Sequence, residues 1–250
     1  MELHFRNHFQ RLWEKYFGNA EQPIVFFYAD DAGDAETVAK AERKGCFIGE
    51  LAKVRKGRSL AFNQEAVSCG GGKKYLGFSQ NLRPGFEYFL SCGNSEIEGE
   101  RYLQSPELVK KFLQNAPWIP AKASKIVFKR WDMLTENDEP EVVIFFATPD
   151  VLSGLFTLSG YDREDMYGNI TPFGAGCASI VQYPLLESVK EKPAAVIGMF
   201  DVSARPYIQE NLLTFAVPFK RFVEMVSFME ESFLITDSWQ KVRKRINIRD

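Results

Sequence analysis

Histidine is nearly absent from this 250-residue sequence, which argues against most hydrolytic active sites. The two histidines, His4 and His8, stand four residues apart in a predicted N-terminal helix. A Ser-His-Asp or Cys-His hydrolase would have to take its general base from that helix. The spacing also suits a metal ion, but the sequence offers no third ligand nearby. We therefore expect a solvated pair of side chains and not a hydrolase.

Cysteine is sparse as well, and its spacing excludes a zinc site built from local pairs. The four residues Cys46, Cys69, Cys92 and Cys177 include no C-x-x-C pair. An iron–sulfur cluster held by all four is conceivable, but the spacing gives it no support. In a cytoplasmic protein we expect these side chains to be reduced thiols.

The sequence also lacks a strong charge of one sign and any long apolar segment. Its 31 basic and 33 acidic residues give a formal net charge of −2, so no net basic field favours nucleic acid. The longest apolar runs, at 23–29 and 142–147, are too short to span a bilayer. The segment 1–18 carries scattered charges and no small-residue cleavage site. We expect a cytoplasmic protein with no nucleic-acid or membrane partner.

Aromatic residues are plentiful, with 22 Phe among them, and they begin in the first helix. Residues 1–22 form a predicted amphipathic helix that Gly18 ends. Such a face must dock on the rest of the chain or form a homodimer interface. Its apolar residues are Phe5, Phe9, Leu12, Trp13, Tyr16 and Phe17.

Beyond this helix the sequence predicts two α/β halves, 23–133 and 140–235, and a C-terminal helix within 236–250. The polar segment at 134–140 is the predicted linker. The fold class is α/β or α+β, a mixed sheet or sheets covered by helices in one compact unit. Because several elements recur in the same order, we interpret the halves as a degenerate internal duplication packed together.

The recurrence depends on matched segments. Buried strands at 23–29 and 125–133 match those at 140–147 and 212–218, and a predicted strand at 86–92 matches 194–200. A helix at 46–57 matches one at 150–161, and FKRW at 128–131 matches FKRF at 219–222. Further predicted elements are a strand at 59–63 and helices at 35–44, 105–115, 204–212, 218–233 and 238–248.

Two glycine clusters, each touching a cysteine and interpreted as the same turn in the two halves, form the candidate binding site. Consecutive glycines turn sharply and point N–H groups at an anion, and a following helix adds its positive end. Neither cluster fits the phosphate loop or G-x-G-x-x-G, so a tight structural turn is the alternative. The candidate ligand-binding residues are Cys69, Gly70, Gly71, Gly72, Lys73, Gly174, Gly176 and Cys177.

Three cysteines are candidate ligands for a soft metal, namely Cys46, Cys69 and Cys177. A thiol near a helix start becomes a better nucleophile or metal ligand. The alternative is that each behaves as a small buried hydrophobe. The sequence assigns no catalytic residue and no cofactor.

The segments 46–78, 172–184 and 201–226 together resemble the uncharacterised ArCR family of archaea and bacteria. The recognisable pieces are the first cysteine, a basic stretch, Cys-Gly-Gly followed by YLGF, and the later Gly-Ala-Gly-Cys turn. The resemblance covers about 23–239 and implies no known activity. The positions it selects are Cys46, Cys69, Gly70, Gly71, Gly77 and Cys177, without Cys92.

Three functions are consistent with these patterns. The favoured one is a small-molecule or cofactor-binding protein with a pocket between the two halves, lined by the Gly/Cys turns. Because Cys69 precedes its glycines and Cys177 follows them, we expect an asymmetric pocket with one thiol on each wall. The alternatives are a thiolate-dependent metal or iron–sulfur redox protein, and an oligomeric interaction module.

Overall fold

An eight-stranded mixed sheet runs through both predicted halves in the computed structural model, which describes residues 1–42 and 45–247. The strand order is β2-β3-β4-β1-β5-β8-β7-β6. The strands are β1 (Ile24–Ala29), β2 (Glu36–Thr37), β3 (Leu60–Phe62), β4 (Lys125–Arg130), β5 (Val142–Ala147), β6 (Asn169–Ile170), β7 (Ala195–Gly198) and β8 (Leu213–Pro218). The predicted mixed α/β class is confirmed.

Helices cover both faces of the sheet. They are α1 (Leu3–Phe17), α2 (Phe47–Arg55), α3 (Gly70–Tyr75), α4 (Phe86–Phe89), α5 (Pro106–Asn115), α6 (Pro149–Leu158), α7 (Tyr183–Ser188), α8 (Phe219–Ser227) and α9 (Asp237–Asn247). A π turn over Ala178–Gln182 leads into α7, and short 3-10 turns follow β4, β7 and α8. Ser105 caps α5 by accepting the N–H of Leu108, and Pro106 opens that helix as the sequence predicts.

The strands of the two halves pair in the same pattern on either side of the central β1–β5 pair. In the first half β1 pairs with β4, β4 with β3, and β3 runs parallel to β2. In the second half β5, β8, β7 and β6 repeat that sequence of antiparallel, antiparallel and parallel pairs. Trp131 N–H donates to Pro23 O, and Phe219 N–H donates to Glu141 O in the corresponding place. Duplication of an ancestral sequence stays a prediction.

Two predicted elements before β4 are wrong. Residues 86–92 form no strand, because Gly85 takes a left-handed φ of 76° and starts the short helix α4, where Phe86 and Phe89 bring their rings within 5.6 Å. Residues 35–44 form no helix over their described part, because Glu36 and Val38 donate their N–H groups along β3 instead. The end of that predicted helix, 43–44, lies outside the described residues.

Several matches between the halves also need correction. Residues 128–130 of FKRW complete β4 and Trp131 begins a 3-10 turn, whereas FKRF at 219–222 begins α8, so these segments do not correspond. Helix α6 lies between β5 and β6, so the element that corresponds in the chain to α2 is the π turn with α7. Residues 204–212 contain only a 3-10 turn. Helix α8 ends at Ser227, and the last residue of the predicted 238–248 helix lies outside the described part.

Helix α1 docks on the sheet within the same chain. Its apolar side packs with α6, α8 and α9 on one face, where Trp13 stacks on Phe17 at 4.2 Å and Phe9 meets Trp131 at 4.8 Å. Each large buried side chain of this kind contributes about 1.5–3 kcal/mol. Homodimerisation through α1 stays a prediction. The opposite face of the sheet, under α2, α3 and α7, carries the candidate site.

Candidate functional site

Three of the four cysteines lie at the starts of helices on one face of the sheet. Cys46 precedes α2, Cys69 precedes α3, and Cys177 precedes the π turn before α7. All three pack on the same apolar cluster, with Cys177 buried and the other two half-buried. Cys92 is exposed beyond α4 and stands apart from this cluster. We call the three residues the thiol cluster.

The residues that precede the two half-buried members of the thiol cluster are hydrogen-bonded to each other. The Ser68 hydroxyl donates to Gly45 O and accepts the Gly45 N–H, both at 3.0 Å. A serine hydroxyl has one donor and two acceptor sites, so it can bridge both groups of one residue. Cys46 and Cys69 each follow one member of this bridge. The sequence carries no signal for such a contact across 23 positions.

Two glycines let the helix starts approach one another. A Cβ on Gly72 would lie 2.8 Å from the Cys69 Sγ and 3.3 Å from the Phe47 Cβ. A Cβ on Gly176 would lie 2.8 Å from the Met199 Sδ and 3.6 Å from the Ile48 Cγ1. Since Ile48 belongs to the first half and Gly176 to the second, the thiol cluster lies where the halves meet.

The glycine clusters do not occupy equivalent places in the two halves. The cluster at 174–176 precedes the helical segment between β6 and β7, whereas the cluster at 70–72 lies between β3 and β4. The place in the first half that corresponds to Gly176 and Cys177 is Gly45 with Cys46, just before α2. The interpretation of the two glycine clusters as the same turn in the two halves is therefore wrong.

Burial raises the pKa of two members of the thiol cluster, Cys177 and Cys46. Burial raises the pKa of Cys177 well above its usual value, and negative charge on Cys69 or Cys46 raises it further. Burial also raises the pKa of Cys46, against hydrogen bonds from the backbone of Ile48 and Gly49. Both thiols are therefore protonated at neutral pH.

A carboxylate of the protein occupies the second glycine turn. Asp201 accepts the Gly176 N–H at 3.0 Å, and its other oxygen accepts the N–H and hydroxyl of Ser203. Gly174 lies beneath Tyr183, whose hydroxyl donates to Phe173 O at 2.9 Å. This turn does direct an N–H at an anion, as the glycines predict, but the anion is internal.

The first glycine turn is open on its outer side. Gly70 is exposed, and no neighbouring part of the described chain lies within 4 Å of the place of a Cβ on Gly70 or Gly71. The inward side is closed, because Gly72 N–H donates to the Cys69 Sγ at 3.2 Å. Anion binding by residues 70–72 stays a prediction.

A cleft of about 320 Å³ reaches Ser68, the residue before Cys69, although Cys69 itself does not line it. It is lined by Lys40, Ala41, Glu42, Glu65, Val67, Ser68 and Lys73. Its volume is at the lower end of the range for small-molecule sites. Lys73 was a predicted ligand-binding residue, whereas Lys40 and the two glutamates were not recognised. No motif links these residues, since they come from the segment before α2, the segment before α3, and α3 itself.

The segment 78–120, which carries α4 and α5, connects the two halves beside the thiol cluster. Its ends are pinned together where Ala121 N–H donates to Gly77 O at 2.9 Å. Near its end, Ile119 exchanges two hydrogen bonds with the Gln182 side chain of the π turn, at 2.8 and 3.0 Å. Farther out, the rings of Phe112 and Phe173 meet at 5.7 Å. We call this segment the bridging segment.

No metal centre is assembled from these residues. Within 1–42 and 45–247, no three His, Cys, Asp or Glu side chains lie close enough together to hold one ion. His4 and His8 stack at 6.4 Å between ring centroids. The metal or iron–sulfur hypothesis for Cys46, Cys69 and Cys177 thus gains no ligand set. In the same described part, no helix has the length and apolar character needed to cross a membrane.

These features define a mixed α/β protein with a cluster of thiols at the junction of its halves. The model of the uncharacterised ArCR family matches residues 14–227, so the chain belongs to that family. Comparison with curated proteins gave no match. Comparison with solved structures gave none either.

Proposed function

We propose that this protein binds a small polar molecule in the cleft beside Cys69. The observation that carries the proposal is the placement of that cleft next to the first Gly/Cys turn, at the edge of the thiol cluster. Ser68 belongs to both features. It lines the cleft, and it hydrogen-bonds to Gly45, the residue before Cys46. A ligand in the cleft would therefore contact the segment that positions the thiols.

The charged side chains that line the cleft indicate which class of ligand it would bind. Lys40 and Lys73 contribute ammonium groups, and Glu42 and Glu65 contribute carboxylates. This mixture favours a ligand that itself carries both signs of charge, because each charged group of the ligand then meets an opposite charge. A purely anionic ligand such as inorganic phosphate would meet repulsion from the two glutamates.

A thermal-shift screen with amino acids, small peptides, nucleotides and organic acids tests this proposal. A ligand at 100 times its Kd raises the free energy of unfolding by about 2.7 kcal/mol, which is readily detected as a shift in Tm. We expect hits among zwitterionic compounds. Lys73→Met should remove the shift in Tm. The matched control Lys241→Met, which changes an exposed lysine of α9 far from the cleft in sequence, should retain it. Equal loss or equal retention in both variants would refute the site.

A further inference from the structure

We propose that Cys69 and Cys46 form a thiol–disulfide exchange pair that reacts with small amino-acid-derived disulfides. The inference rests on the proposed function, because the cleft is taken to present the disulfide to Cys69. It assigns a role to two thiols, while Cys177 stays unreactive because it is buried.

The geometry brings the two reacting residues together. Ser68, the residue before Cys69, makes two hydrogen bonds of 3.0 Å with Gly45, the residue before Cys46. The Cys69 Sγ and the Phe47 Cβ, one residue beyond Cys46, both lie within 3.3 Å of one point beside Gly72. A protein disulfide needs Cα atoms about 4.4–6.8 Å apart. The Ser68–Gly45 hydrogen bonds join the two residues that directly precede the cysteines.

The surroundings distinguish the two sulfurs. Cys69 is half-exposed and follows the cleft-lining Ser68, so its sulfur is the one nearer to a ligand in the cleft, and it accepts the Gly72 N–H at 3.2 Å. Burial raises the pKa of Cys46 and keeps that thiol protonated. Cys69 is therefore the attacking group, and Cys46 resolves the intermediate.

The reaction balances without any further reactant. The Cys69 thiolate attacks one sulfur of the disulfide RSSR, the S–S bond breaks, and RS⁻ leaves, so that a mixed disulfide with Cys69 remains. Cys46 then gives its proton to the departed RS⁻ and attacks the Cys69 sulfur. The second RS⁻ leaves and takes the proton that Cys69 lost on ionisation. Two protein thiols are oxidised to one disulfide, and RSSR is reduced to two RSH molecules.

The decisive experiment uses the full chain with Cys92→Ser, which removes the exposed thiol. The reduced protein is treated with cystine, quenched with acid and mapped by mass spectrometry. We expect a Cys46–Cys69 disulfide and an unmodified Cys177. Adding Cys46→Ser should trap cysteine on Cys69, whereas adding Cys69→Ser should leave Cys46 essentially unmodified over the same time. Trapping on Cys46 at an equal rate, or no Cys46–Cys69 disulfide, would overturn the exchange pair.

A second measurement separates this inference from the proposed function. In the otherwise unmodified chain, exposed Cys92 serves as an internal reference for intrinsic reactivity. Relative to Cys92, we expect Cys69 to react about tenfold faster with cystine than with uncharged bis(2-hydroxyethyl) disulfide, because the charged cleft concentrates the former. Lys73→Met should remove that preference. Equal relative rates would overturn recognition by the cleft, even where the Cys46–Cys69 disulfide forms.

Discussion

The ammonium group of Lys129 lies 2.9 Å from both carboxylate oxygens of Asp138, and both side chains are buried. Asp138 also accepts the N–H and hydroxyl of Thr135, and Lys129 makes a second ion pair with Asp34. The predicted linker at 134–140 is thereby fastened to β4. Burying a charge costs free energy because it loses its contact with water, and the oppositely charged partner offsets that cost.

Asp138→Asn tests this attachment. The substitution removes the main buried partner of Lys129, and we expect it to lower the free energy of unfolding by about 3–5 kcal/mol. The double variant Lys129→Met, Asp138→Leu should lose less, because no charge is then left buried without its partner. Urea unfolding measures both. A double variant less stable than Asp138→Asn would contradict this account.

Gly72→Ala should destabilise the protein by about 1–3 kcal/mol, because the added Cβ would press on Val67, Cys69 and Phe47. Gly71→Ala is the matched control in the same helix. Its Cβ meets no atom within 4 Å, so we expect a gain of about 0.5–1 kcal/mol. Thermal or urea unfolding of the two variants gives the comparison. Equal effects would show that the helix starts do not constrain position 72.

The Arg221–Asp162 ion pair should make stability depend on pH. Hydrogen bonds from Arg221 lower the pKa of Asp162 below its unfolded value, despite partial burial. The stabilisation is therefore present above the usual carboxyl pKa and is lost as pH falls through the lowered one. Asp162→Asn should cost about 1 kcal/mol at pH 7 and progressively less below pH 4. Exposed Glu139→Gln serves as the control, and parallel curves for the two variants would refute the role.

Alkylation should distinguish exposed Cys92 from buried Cys177. With iodoacetamide at neutral pH, exposed Cys92 should react readily, whereas Cys177 should react orders of magnitude more slowly, because it is buried and protonated. In denaturant the two rates should converge. Peptide mapping over time measures each site, and rapid labelling of Cys177 in the folded protein would contradict its burial.

Periodicity and apolar runs predicted the elements that build the core. The aromatic spacing of α1, the capped start of α5 and the runs that became β1, β4, β5 and β8 are all local patterns, and the structure confirms them. The prediction of a strand at 86–92 was wrong. Aromatic residues favour strands on average, but Gly85 takes a left-handed conformation and the residues after it form α4.

The site was less predictable, because its contacts cross long stretches of sequence. The glycine clusters did lead to Cys69 and Cys177, which pack on one apolar cluster made by residues of both halves, while ligand binding by these residues stays a prediction. They could not reveal that Ser68 binds Gly45 or that Asp201 fills the second turn. Those partnerships depend on how the sheet orders its strands, which no spacing encodes. For the same reason, the order of elements misassigned the counterpart of Cys177.

The sheet's central pair gives one more consequence, for a chain cut in two. β1 and β5 meet through three residue pairs, Ile24 with Ile144, Val25 with Val143 and Phe26 with Val142. Cleavage at the exposed Glu136–Asn137 bond would leave two fragments of four strands each. In each fragment the apolar strand that lay at the centre of the sheet, β1 or β5, would become an unpaired edge strand. Each edge is the natural complement of the other. The fragments should therefore reassemble on mixing and aggregate when kept apart, so the join could serve as a reporter of proximity between two fused proteins.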